Sequence, residues 1–244
     1  MLSLADLAER LTTGAPIAPG AAVRKTEVRD LRELAERVRP TTLAGERVLP
    51  VRDDLATLLP FGGLRKGTVT QVTHQGLLFA CLATAMVEGL WAAAVGASTL
   101  GLAAAAEQGV VLERFAVVAR PPVEHATAVV AALVDAVDLV VVGPGVITKT
   151  ADARRLTARL RERGGALFSL GAWPEGAELR LDVVGTTWHG TDAGHGHLSG
   201  WDLEVQVQGR GAASRGRRGT LVLAGSRERP ASEATLPEGL SNVG

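Results

Sequence analysis

Apolar residues fall into two kinds of pattern along this chain, and the change between them predicts the architecture. From about position 68 to 170, short continuous runs alternate with longer helical stretches. TVTQVT (68–73), WAAAVG (91–96), FAVVA (115–119), VDLVVV (137–142) and GALFSL (165–170) read as strands, with helices near 77–89, 99–108, 123–136 and 150–163. Continuous apolar strands alternating with helices predict a parallel sheet covered on both faces. After Trp173-Pro174 the period becomes two. In ELRLDVV (178–184), WDLEVQVQ (201–208) and GTLVLAG (219–225), residues such as Leu203, Val205 and Val207 alternate with Glu204, Gln206 and Gln208. That alternation predicts antiparallel, half-exposed strands. Upstream, RKTEVRDLRELAERVR (24–39) sets Val28, Leu31, Leu34, Ala35 and Val38 on one face of an amphipathic helix, which Pro40 stops. The expected organisation is an N-terminal helical segment and linker (1–47), one α/β core (48–225) and a disordered tail (226–244).

Composition narrows the function classes. The chain has 244 residues, 46% of them hydrophobic, enough for one sizeable core. Lys+Arg and Asp+Glu each number 26, so no global charge draws it to nucleic acid or membrane, and any such binding must be local. Cys81, the single cysteine, lies in an apolar run and suits core packing in a reducing compartment. The start, MLSLADLAERLTTG, lacks the basic end of a secretory signal. The weakly charged stretch from Gly76 to Ala106 approaches membrane-spanning length, but Gly89, Gly96, Ser98, Thr99 and Gly101 break it into buried elements. A cytoplasmic protein without a membrane span is expected.

The strand, glycine turn and helix at 67–82, GTVTQVTHQGLLFACL, have the order of a phosphate cradle. A P-loop needs several glycines, a lysine and a hydroxyl that holds magnesium. Thr73, His74, Gln75, Gly76 and Leu77 supply one glycine and no lysine, and the helix opens on three apolar side chains. Desolvating a polyanion there would cost roughly several kcal/mol. A metal-positioning carboxylate is also missing: VDLVVV runs into Gly143-Pro144-Gly145, and Asp138 stands at the start of that strand, the wrong end of the sheet. Catalytic residues, cofactor and metal are all expected to be absent from this degenerate loop.

Several stretches, in order, resemble the RecA core: LPFGGLRKG (59–67), LGLAAAAEQGV (100–110), ALVDAVDLVVV (132–142) and RLDV (180–183). WHGTDAGHGHL (188–198) and QGRGAASRGRR (208–218) are similar to actinobacterial RecA-like proteins of the ImuA-prime type. The resemblance implies a RecA-like core without its ATP site, with Ala97 and Ser98 where the catalytic glutamate would be. The connections GPGVITKTADA and GAWPEGAE are too short for RecA's two DNA-pairing loops. It further implies a non-catalytic accessory in damage-induced mutagenic translesion synthesis, recruiting or stabilising an ImuB-type protein and an error-prone DNA polymerase. DNA contact would be weak or indirect, and self-association is open. The alternative is a nucleotide-dependent ATPase of the RecA superfamily or a DNA-binding repair accessory. An ATPase would have to use Arg65 and Lys66 for phosphate, at the wrong end of the first strand.

Other residues carry weaker signals. His189, Asp192, His195 and His197 are ordinary zinc ligands, but glycines at 190, 194, 196 and 200 make the stretch read as a turn-rich strand connection rather than a metal site. Arg210, Arg215, Arg217 and Arg218 form a basic hairpin tip that suits phosphates or an acidic partner, or serves as a solvated loop. Helix 150–163 is expected to use Thr150 as N-cap and Gly164 as stop, with Arg154, Arg155, Arg159, Arg161 and Arg163 on its wet face. Val28, Leu31 and Ala35 match the spacing of anchors that enter a partner's groove.

Overall fold

The computed structural model describes residues 48–192 and 195–224. The N-terminal helix with Val28, Leu31 and Ala35, and the expected tail, lie outside the described residues.

A short antiparallel ribbon comes first, β1 (Val48–Leu49) with β2 (Leu64–Arg65), enclosing helix α1 (Asp53–Ala56). The main elements follow in chain order: β3 (Val69–Val72), α2 (Gln75–Val87), β4 (Ala92–Val95), α3 (Leu102–Glu107), β5 (Phe115–Val118), α4 (Ala126–Ala136), β6 (Leu139–Val142), α5 (Thr150–Arg163) and β7 (Ala166–Ser169). Three longer strands complete the sequence: β8 (Leu179–Asp192), β9 (His195–Gly209) and β10 (Arg217–Ala224). Among the described residues, eight strands form one sheet in the order β10-β9-β8-β3-β7-β6-β4-β5. The six from β8 to β5 run parallel, with Val69 beside Leu167 and Thr70 beside Leu179. The β8-β9 and β9-β10 pairs are antiparallel. This is the mainly parallel sheet with C-terminal antiparallel strands that the two hydrophobic periods predict.

Burial explains why the parallel strands are apolar throughout. Every residue of β4, β6 and β7 is buried, because helices cover both faces. One apolar cluster joins α2 and α3 to Val72, Ala94, Val141, Phe168, Leu181, Leu203 and Leu221. The other joins α4 and α5 to Val69, Val95, Val140, Val142 and Leu167. Ten of the thirteen residues of α2 are buried, which is why it lacks a polar face. Its buried Leu and Phe side chains each contribute about 1.5–3 kcal/mol. The α4-α5 pair is tied by Asp135, whose carboxylate accepts hydrogen bonds from Arg159 (2.8 Å) and Arg163 (3.1 Å).

Two local expectations are corrected. Residues 185–192 and 195–200 are strand rather than a turn-rich connection. Cross-strand pairing overrides local glycine preference there: Trp188 stacks on Trp201 with centroids 5.3 Å apart, and Gly185 lets the chain approach Glu204. Register shifts between Val183 and Gly185, and between His189 and Thr191, absorb the irregularity. The second correction concerns α5, where Thr150 is the first helical residue and Lys149 occupies the N-cap without a side-chain cap. Gly164, in the left-handed conformation at φ 74°, stops the helix as expected.

Candidate functional site

Strand β3 lies between β7 and β8, and the connections from β3 to β4 and from β7 to β8 run in opposite directions across the sheet. In open α/β sheets such a switch point, at the carboxyl ends of the strands, is where ligands bind. The turn from Thr73 to Leu77 occupies it. Thr73 continues the ladder, its N–H donating to Leu181 O (3.3 Å). His74 caps α2, its Nδ1 accepting from Gly76 N–H (3.1 Å). The Gln75 amide clamps the next loop, donating to Thr99 O (3.0 Å) and accepting from Gly101 N–H (3.1 Å). Leu77 and Leu78 are fully buried. Leu223 of β10 closes the turn from the side, with Cδ1 3.1 Å from where a β-carbon on Gly76 would stand. His74 and the Gln75 amide are thus engaged within the chain, the flank at Gly76 is apolar, and Thr73 is exposed.

Burial lowers the His74 pKa below its ordinary value, and only the unprotonated Nδ1 can accept from Gly76. In the unfolded chain the ring takes up its proton near pH 6.5; in the folded chain it does so at lower pH. Stability should therefore be constant above about pH 7, fall as pH drops through the unfolded value, and level off below the folded one. Urea melts of wild type and His74→Asn across pH 5–8 check this. Asparagine keeps a capping oxygen without titrating, so that part of the slope should vanish.

At the neighbouring strand ends glycines pack closely. β6 passes into Gly143, whose N–H donates to Val95 O (2.8 Å). A β-carbon on Gly143 would overlap the Gly96 carbonyl, and one on Gly96 would overlap Val146. Ala97 is buried and Ser98 exposed. Asp138 serves at the opposite end of β6, where its Oδ2 accepts from Trp91 N–H (3.0 Å). Arg65 also lies at that opposite end, pairing with Glu178 (3.0 Å), whose own N–H bonds to Val69 O at the start of β3. Its guanidinium also sits 5.3 Å from the Phe61 ring centre. Lys66 follows it directly, before the first strand of the parallel sheet. Cys81 is buried in α2, which pushes its thiol up to about 12 and keeps it unreactive.

The remaining singled-out residues are dispersed. His189 Nε2 lies 2.9 Å from Asp202 Oδ2 on β9. The side chains of residues 191–199, including Asp192, His195 and His197, lie outside the described residues. No group of three or more His, Cys, Asp or Glu among the described residues could hold a metal. Of the hairpin arginines, Arg210 donates to Glu175 O (2.9 Å), and Arg217 lies 3.3 and 3.4 Å from the carbonyls of Thr57 and Leu59. Arg218 donates to Gln206 (2.9 Å) and Arg215 points to solvent. On α5, Arg154 and Arg155 lie 3.8 Å from Glu175 and Asp152, so the wet face is largely ion-paired.

Two contributors have no local sequence signal. Leu223 is one of several alternating apolar positions in β10, and only the sheet order brings it to Gly76. Arg52 reaches Val222 O (2.7 Å), while Leu58 packs where a side chain on Gly219 would stand, so the segment around α1 braces β10.

The fold defines a mixed-sheet α/β protein whose switch-point turn is filled from within. Residues 57–175 match the profile of a family described as the MT3502 N-terminal domain. The uncharacterized protein Rv3395c of Mycobacterium tuberculosis is 36% identical over 188 residues, which cover 71% of this chain and 89% of the relative. The chain belongs to the family of that mycobacterial protein.

Proposed function

We propose that the protein is a non-catalytic RecA-like accessory of the ImuA-prime type, which recruits or stabilises an ImuB-type partner and an error-prone polymerase during mutagenic translesion synthesis. One observation supports the reading: at the topological switch point His74 and Gln75 bond within the chain and Leu223 packs against Gly76. A strand, a glycine turn and a helix hold the place of a nucleotide cradle there. The close packing of glycines 96 and 143 supports a reading without a metal carboxylate there. A scaffold of this shape, without groups to hold phosphate and magnesium, acts through its surfaces. The ImuA-prime resemblance supplies the identity of the partners.

Isothermal titration and thermal melts with ATP and magnesium test the first half of the reading. A nucleotide bound at a hundredfold excess over its Kd would stabilise the fold by about 2.7 kcal/mol, so a silent titration at millimolar nucleotide is the expected result. Co-elution with an ImuB-type protein tests the second half. Heat that disappears on changing Arg65 and Lys66 would instead establish a nucleotide-dependent enzyme, and failure to co-elute would remove the adaptor role.

A further inference from the structure

The hairpin between β9 and β10 turns through residues 210–216, and cavities open on both sides of that turn. On the outer side a cavity of about 430 Å³ is lined by Gln206, Gln208, Ser214, Arg215 and Arg218. On the inner side a cavity of about 350 Å³ is lined by Leu58, Pro60, Val207, Ala212 and Ala213. The two share Ser214, Arg215, Gly216 and Arg217 as a common wall. No carboxylate of the described residues lines either.

Resting on the adaptor reading, the geometry points to a docking site for a short acidic peptide of a partner protein, with an apolar side chain in the inner cavity and neighbouring carboxylates on Arg215 and Arg218. The guanidinium fork matches a carboxylate in two hydrogen bonds, and the Gln206 and Gln208 amides add neutral donors beside it. Arg217 is not free for this role, because its head group already reaches the carbonyls of Thr57 and Leu59; it holds the turn in place.

Charge placement favours a peptide over nucleic acid. On the outer face of the same sheet Glu204 lies 4.0 Å from Arg218 and Asp202 follows along β9, while on β8 Asp182 stands beside Gln206 and is paired at 2.6 Å with Arg180, beside Gln208. A phosphate backbone laid across this face would leave the arginines of the turn for Glu204 and Asp202, with Asp182 already held by Arg180. A compact peptide that keeps to the turn meets Arg215 first and then Arg218, whose head group Gln206 and Glu204 flank. The cavity walls contain no aromatic ring on which a base could stack.

Fluorescence anisotropy on the full chain tests the site. The probe is a labelled peptide with one leucine between two pairs of acidic residues. Controls carry amides for the acids or alanine for leucine, and single-stranded and duplex oligonucleotides run in parallel. The acidic, leucine-bearing peptide should bind, and Arg215→Glu or Arg218→Glu should weaken it at least about tenfold. Ala212→Gln, which fills the inner cavity without adding charge, should weaken that peptide but not the alanine version. The proposal is overturned if the acidic peptide does not bind, if Arg215→Glu leaves binding unchanged, or if the amide peptide binds equally well. Oligonucleotide binding that is tighter and is lost in Arg215→Glu would assign the cavity to nucleic acid instead. Nucleotide binding with peptide binding intact would overturn the non-catalytic reading alone and leave this site standing.

Discussion

Gly143→Asp, which puts a carboxylate back at the end of β6, should unfold the core rather than create a metal site. β6 is held between β4 and β7, and a β-carbon at 143 would overlap the Gly96 carbonyl and crowd Ala97 N at 3.0 Å. Those are backbone atoms at the packed end of β4, where Ala97 and Gly143 are buried, so neither partner can turn aside. The cost belongs with the largest single-residue effects, above about 4 kcal/mol. At about 2–4 °C per kcal/mol for a domain of this size, the melting temperature should fall by roughly 8–16 °C or more. Gly145→Ala is the control. It has a positive φ of 73° but open space around it, so only the backbone term of about 1–2 kcal/mol applies. Circular dichroism melts of the two variants decide the matter: a Gly143→Asp protein that melts with wild type would mean the strand ends are loose enough to admit a metal ligand.

Leu223→Ala should produce the other large effect, a loss of about 2–5 kcal/mol in urea unfolding. Leu223 is 1% exposed, sits opposite Trp201 in the β9-β10 ladder and packs against the start of α2. Truncation leaves a void beside Gly76, yet the variant should remain silent in ATP titrations. Gly76 N–H still meets His74, and Leu77 and Leu78 still line the turn. If the truncated protein gained nucleotide affinity, a movable side chain would be what keeps phosphate out, and the turn itself would be competent.

How much of this was readable beforehand follows from the range of each interaction. Helix α5 was legible at 150–163 because its polar and apolar positions alternate within its own turns and a left-handed glycine ends it. β6 was legible as a central strand because four consecutive apolar residues need cover on both faces. Residues 185–200 were misread because their glycines act locally, whereas Trp188-Trp201 and His189-Asp202 act across strands. The single glycine of the 73–77 turn and its lack of a lysine were visible in its residue types. What fills the turn was not, since Gln75 bonds a loop some 25 residues away and Leu223 arrives from the last strand. The arginine tip looked uniform in sequence, yet Arg210 and Arg217 face carbonyls far along the chain and Arg215 does not.

Strand order also sets a schedule for synthesis. β3 is the first strand of the large sheet to be made among the described residues, but its neighbours are β7 and β8. Leu167, the partner of Val69, leaves the ribosome about a hundred residues later, some 5–20 s at usual elongation rates. Throughout that interval α2, a helix built to be enclosed on every side, has no completed sheet to lie against. The nascent chain therefore passes through a long stage with its most apolar segment uncovered, and holdase chaperones that bind such segments should associate with it before Leu167 emerges and release it afterwards.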